Sequence, residues 1–423
     1  MTKKIIIAIL IILIIVSLGI IGYVIISQNP NVNLARFWPI GSTADNQTPK
    51  VPANFFPEAT TTTNSLLNPT RAPNTTSAST SSPDNFVSDN PNLAGRSALG
   101  LALVNNNKKE RVLFIDRASG NLYEITDQNE LVRLTNETIS NIGEIYWGQD
   151  KAGERVILRL PALPAQAGQA GQITNLSGLI KPSATSTDLG KLTSQTLSPD
   201  IRALAVAPDG TKFFTLETSA NGIIGFLNDW SGKNKKKIWS FAFGDWQATW
   251  PKANIISLQT RPSASDSGYL YFLDPATGKF TKIISGIAGL TTKISPDGQK
   301  IIFSRSNLGQ FGLYLHDVAS QKTSSPGVNT LPEKCTWGDN NTLYCAVPRA
   351  IPTGLYPDNW YQGKITFTDD VWKIDLAQKT TALIFPLKGN YDLVNLVLAP
   401  KRGWLYAINK PDNSIQSFSL PTE

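Results

Sequence analysis

From about Ala98 to the C-terminus one pattern recurs: an apolar run of strand length, a tight turn, and at once a second apolar run. The turns align on Trp147-Gly148-Gln149-Asp150, Ala207-Pro208-Asp209-Gly210, Trp250-Pro251-Lys252-Ala253-Asn254, Ser295-Pro296-Asp297-Gly298, Trp337-Gly338-Asp339-Asn340 and Ala399-Pro400-Lys401-Arg402-Gly403. Their first residues are spaced 60, 43, 45, 42 and 62 apart. An interval near 43 with two enlarged members is a propeller period. One interval before Trp147 falls on Val104-Asn105-Asn106-Asn107, which makes seven units.

The turn residues have physical reasons. Proline presets φ at the first corner, aspartate hydrogen-bonds the backbone two residues on, and glycine supplies the left-handed conformation. Strand-length runs follow at 212–216, 300–304, 342–347 and 404–408, and third strands at 269–273, 312–316 and 370–375. Four antiparallel strands per unit, repeated radially, predict an all-β, seven-bladed β-propeller over 93–423. A six-bladed ring is the alternative if the first or last unit is incomplete. The last unit ends at Ser414–Leu420 with no fourth strand after it, so residues just before Ala98, such as Phe86–Val87, are expected to supply one.

A Ser-Pro-Asp-Gly turn, the strand after it, a Tyr-containing third strand and an Asp-x-x-x-Gly turn together resemble the TolB-type propeller repeats, relatives of the WD-repeat class. Ile294–Gly298 and Gly312–Val318 carry the match best, and only two units have the full Pro-Asp-Gly turn. The resemblance implies the propeller fold, and with it binding of proteins or small ligands rather than one defined chemistry.

Residues 1–28 read as a cytoplasmic stub and one transmembrane helix. Ile5–Ile26 is uncharged and long enough to span a bilayer, and Lys3 and Lys4 precede it, which orients the N-terminus to the cytoplasm. The run exceeds a secretory h-region, and no small-x-small site follows it. Residues 29–92, crowded with Thr, Ser, Asn and Pro, cannot bury enough apolar surface to offset ordering, and predict a flexible linker. The propeller is thereby expected outside the cell membrane. The formal charge of +7 forms no stripe. Its densest cluster, Lys233 and Lys235–Lys237, reads as a solvated turn, so no nucleic-acid partner is expected.

Cys335 and Cys345 flank a turn centred on Asn340, which places them opposite each other on adjacent strands, and outside the cytoplasm a disulfide is the expected state. The sixth unit carries extra residues, 348–369, after its second strand. Tyr356, Asp358, Trp360, Tyr361 and Asp369 in this insertion offer flat stacking surface beside hydrogen-bonding groups, the composition of a recognition surface. The plainer alternative is that Trp360 and Tyr361 pin the long loop to a neighbouring blade. No catalytic residue, metal site or cofactor is expected: His316 is the single histidine, and no nucleophile elbow, phosphate loop or Cys-x-x-Cys occurs. The chain reads as a non-enzymatic module that binds a protein partner in the cell envelope. The alternative is a hydrolase or lyase using the central channel, which requires acids at the starts of the innermost strands; those strands read as acid-poor.

Overall fold

The computed structural model describes Leu93 and residues 96–421, apart from 107–108, 163–171, 182–188 and 243. The apolar run Ile5–Ile26, the linker 29–92 and Phe86–Val87 lie outside the described residues. Among those described, no helix is long and apolar enough to cross a membrane.

The chain forms seven antiparallel sheets, each in simple up-and-down order. Six have four strands, and the seventh, Leu393–Ala399, Trp404–Asn409 and Ile415–Ser419, has three among the described residues. The count is seven blades, not six. The second strand of each blade is sandwiched by neighbouring blades, so it reads as a continuous apolar run rather than an alternating one. Phe213, Phe214 and Leu216 in blade 3 and Ile301, Ile302 and Phe303 in blade 5 are all buried. Blade 7 packs on blade 1 through Tyr406, Ile408 and Ile415 against Leu93, Ala98, Leu101 and Phe114. The ring is tied there by a Ser97–Ser414 bridge, with Ala98 N–H donating to the Asn413 carbonyl at 2.8 Å.

The Pro-Asp-Gly turns behave as their chemistry requires. Gly210 and Gly298 adopt φ of 71° and 72°, and each donates its N–H back across the turn, to Ala207 and Ser295. Asp297 accepts from the Ser295 hydroxyl at 2.6 Å and from Gln299 N–H at 2.9 Å. The second unit departs from the expected alignment. Trp147-Gly148-Gln149-Asp150 is not a turn but the end of the inner strand Glu144–Asp150, which reverses two residues later, before Gly153. Gly148 is small because the Trp230 indole lies where its side chain would be: a Cβ there would sit 2.1 Å from Trp230 Cζ2. The same unit's third strand is the full eight-residue strand Thr174–Lys181, paired on both sides.

In blade 6, Cys335 pairs with Cys345, and the two form a fully buried disulfide with Cα atoms 4.0 Å apart. His316 is packed, with Nδ1 3.2 Å from the Thr323 hydroxyl, and burial lowers its pKa. Lys235 opens the outer strand of blade 3 and pairs with Glu217 at 2.5 Å, while Lys236 and Lys237 are exposed.

Candidate functional site

The sixth-blade insertion leaves the end of Thr342–Pro348 and returns at Asp369–Asp375, so it lies on the face opposite the Pro-Asp-Gly turns. It is a folded cap rather than an open loop. Tyr356, Trp360 and Phe367 pack with Phe311, Leu331 and Ile351 in a satellite core of their own. Gly354 N–H bonds the Gly309 carbonyl of blade 5 at 2.8 Å, and Ser306 of that blade donates to the Tyr356 carbonyl. Asp358 accepts from Ala264 N–H of blade 4 at 2.7 Å. Lys410 of blade 7 donates to the Trp360 carbonyl at 2.8 Å. The cap thus bridges three blades, its short helix Asp358–Tyr361 reaching blades 4 and 7 and the segment before it reaching blade 5.

The five residues singled out from sequence separate by burial. Tyr356, Trp360 and Asp369 are 0%, 2% and 0% exposed, so the cap holds them inside. Asp358 is half-buried and Tyr361 is 41% exposed, which leaves these two at the surface. The Tyr361 hydroxyl donates to Glu333, whose other oxygen accepts from the Thr291 hydroxyl at 2.9 Å. Burial of that hydroxyl, with the Glu333 charge beside it, pushes the Tyr361 pKa well up.

Beneath the cap lies a charged cluster that sequence reasoning missed. Lys334, fully buried, donates to Asp369 at 2.7 Å, to Asp392 at 2.5 Å and to the Leu393 carbonyl at 3.1 Å. Its Nζ lies 5.5 Å from the Trp360 ring centre and 5.3 Å from that of Phe367. Asp392 also accepts from the Trp360 indole N–H at 2.8 Å and from Phe367 N–H at 3.2 Å. Burial pushes the Asp369 carboxyl up to about 6 against the pull of Lys334, and the charge on Asp392 adds to the rise. Blade 6 supplies Lys334 and Asp369 and blade 7 supplies Asp392, so the cluster clamps two blades together. No local signal announces it, because its members are 35 and 58 residues apart.

Two depressions open on this face and meet at Glu333 and Tyr361. One, of about 480 Å³, runs from Gln247 and Arg261 to Asp358 and Gln362. The other, of about 420 Å³, is walled by Lys293, Trp360, Asn395 and Lys410. Asn395 also borders a third cavity of about 370 Å³ between the inner strands of blades 1 to 3, so it stands on the line of the central channel. It holds a left-handed φ of 51° at a bulge in its strand and donates to the Leu101 carbonyl at 2.8 Å.

The expectation that the inner strands begin acid-poor needs correction. Glu144 opens the second inner strand, and Asp200, Asp245, Glu333 and Asp392 stand just before the third, fourth, sixth and seventh. Four are engaged separately, Glu144 by Arg159 and Tyr146, Asp245 by Arg261, Glu333 by Tyr361 and Thr291, and Asp392 by Lys334 and Trp360, while Asp200 is exposed. Among the described residues no three acids, histidines or cysteines group so as to hold a metal ion.

No family model and no curated protein matches the chain. Solved structures do. A GH74 enzyme from Niastella koreensis is 14% identical at a TM-score of 0.50, over 77% of this chain and 53% of its own, so the chain spans about half of it. An oligogalacturonate lyase from Vibrio parahaemolyticus is 9% identical at 0.49, over 76% and 89%. TolB from Acinetobacter baumannii is 16% identical at 0.37, over 76% and 78%. Identities this low speak for the fold alone.

Proposed function

We propose that the chain is a non-catalytic binding module of the cell envelope, anchored by Ile5–Ile26 and carried outside the membrane on the linker 29–92. Its contact face is the sixth-blade cap, with Tyr361 and Asp358 at the surface. The observation that carries this reading is the state of the carboxylates on that face. Four of the five acids at inner-strand starts, Glu144, Asp245, Glu333 and Asp392, are each held by a cation, a hydroxyl or an indole, and the fifth, Asp200, is exposed. General acid–base or metal chemistry needs acids grouped and free to exchange protons or ligate. What is left open is a pair of depressions of binding-site size, the one beside Arg261 mostly polar and the one beside Lys410 mostly apolar, both rimmed by Tyr361. A channel enzyme is the second reading, favoured by the number of acids around the face. The neighbours named above include a lyase and a GH74 enzyme as well as TolB, so they do not choose between the two.

Photo-crosslinking in intact cells tests the proposal. A crosslinkable residue at Gln362 is expected to capture one discrete partner, and one at Thr211, on the opposite face, to capture none. Equal capture from both positions, or none from Gln362, rejects the cap as the contact face.

A further inference from the structure

Two lysines wall the same 420 Å³ depression, and neither has a carboxylate partner. Lys293, on the fifth inner strand, donates to the Cys335 carbonyl, and Lys410, after the second strand of blade 7, donates to the Trp360 carbonyl. A carbonyl leaves an ammonium's charge unneutralised, and a charge taken partly out of water without a counter-ion costs free energy. Their titration reflects this. Burial draws Lys293 down to about 8 despite the nearby Glu333 charge, and burial also lowers Lys410.

The acids whose charges reach them, Glu333 for Lys293 and Asp392 for Lys410, are engaged by other donors, as is Asp369 beside Asp392. Glu333 is turned to the Tyr361 and Thr291 hydroxyls, and Asp392 and Asp369 to Lys334. By contrast, Arg159, Lys235, Arg349 and Lys334 each meet a carboxylate. Two unsatisfied ammonium groups converging on one cavity, each with donor hydrogens left over after its single bond, form a seat for an anion with two acceptor oxygens. The aromatic wall of Trp360 and Tyr361 suits an organic anion rather than a bare ion.

We propose that the Lys293–Lys410 depression binds the carboxylates of an acidic peptide segment on the partner protein. The inference rests on the binding-module reading for its setting and adds the ligand chemistry. Glu333, in the same depression, opposes the incoming charge and sets a limit on affinity. The seat joins the cap depression at Tyr361, so a peptide held there lies against the exposed ring.

The test uses the full-length chain in detergent micelles and a dye-labelled, end-blocked tetraglutamate peptide, followed by fluorescence anisotropy. Tetraglutamate is expected to bind and tetraglutamine not to. Lys293→Gln and Lys410→Gln should each weaken binding at least tenfold, Lys410→Arg should retain it, and Glu333→Gln should strengthen it. Lys236→Gln, on the exposed edge of blade 3, should change nothing. An equal loss from Lys236→Gln, or equal binding of tetraglutamine, overturns the site. Competition by inorganic phosphate as strong as by free tetraglutamate overturns the peptide assignment. If tetraglutamate fails while Gln362 still captures a partner in cells, the carboxylate inference fails and the binding reading survives. If both fail, both are wrong.

Discussion

Two lysines reach the Trp360 ring, Lys334 with its Nζ 5.5 Å from the ring centre and Lys410 at 5.1 Å, and the molecule treats them in opposite ways. Lys334 is sealed from water and faces two carboxylates and a carbonyl. Lys410 is half-buried and meets a single carbonyl. The difference separates scaffold from site within one patch of the surface. A buried ion cluster whose cation meets two carboxylates of adjoining blades holds those blades in register and is closed to a ligand by the cap above it. A cation left without a counter-ion at the edge of a cavity is costly for the isolated chain, and that cost falls when a ligand supplies the missing charge.

The sharpest way to break the comparison is Lys334→Met. It leaves Asp369 and Asp392 buried without their cation, and removing one partner of a buried ion pair typically costs about 3–5 kcal/mol. Thermal unfolding should show a loss of that order. A loss below about 1 kcal/mol would mean that Lys334 contributes no more than a surface pair, and the contrast with Lys410 would vanish.

The next effect is a pH dependence at Asp369. Its folded pKa stands above its ordinary value, raised to about 6, so the folded state favours its protonated form. The stability this brings is fully present below the unfolded value, near 3.9, and is lost as pH rises through about 6. Asp369→Asn mimics the protonated form at every pH. The stability of wild type relative to this variant should therefore fall between pH 4 and pH 7, by up to about 3 kcal/mol at the usual 1.36 kcal/mol per unit. Chemical denaturation of both proteins at the two pH values reads the difference directly. A flat difference, or one of opposite sign, would show that Lys334 holds Asp369 ionised throughout.

Much of the fold was legible because its signals are local. A Pro-Asp-Gly turn states its conformation in three residues, and the recurrence of a tight turn between apolar runs, near every 43 in the regular units, states the ring. The disulfide was legible for the same reason, since one hairpin register brings Cys335 to Cys345. Trp147-Gly148 misled because its glycine answers to Trp230, some 80 residues on, and not to a turn. The site was legible only in part. Aromatic residues beside Asp marked the insertion, but composition cannot say which of them turn inward, and the fold of the cap buries Tyr356 and Trp360 and leaves Tyr361 out. Lys293, Glu333, Lys334, Asp392 and Lys410 come from three blades and meet only once the ring closes, so no spacing along the chain connects them.

The smallest effect is the one that separates the two lysine environments most cleanly. Lys293→Met and Lys410→Met each remove a cation that no carboxylate of the chain requires, and each loses one bond to a carbonyl. Net hydrogen bonds contribute about 1 kcal/mol, and relief of an uncompensated charge works in the other direction. Each substitution should therefore destabilise the chain at pH 7 by no more than about 1 kcal/mol, several-fold less than Lys334→Met. For Lys293 the effect also depends on pH. Its folded pKa is lowered to about 8, so the cost of its charge is present below that value and disappears above its ordinary value of 10.5. The stability of Lys293→Met relative to wild type should accordingly be more favourable at pH 7 than at pH 10. A loss at pH 7 as large as that of Lys334→Met would place Lys293 in the scaffold with the buried cluster and remove it from the binding face.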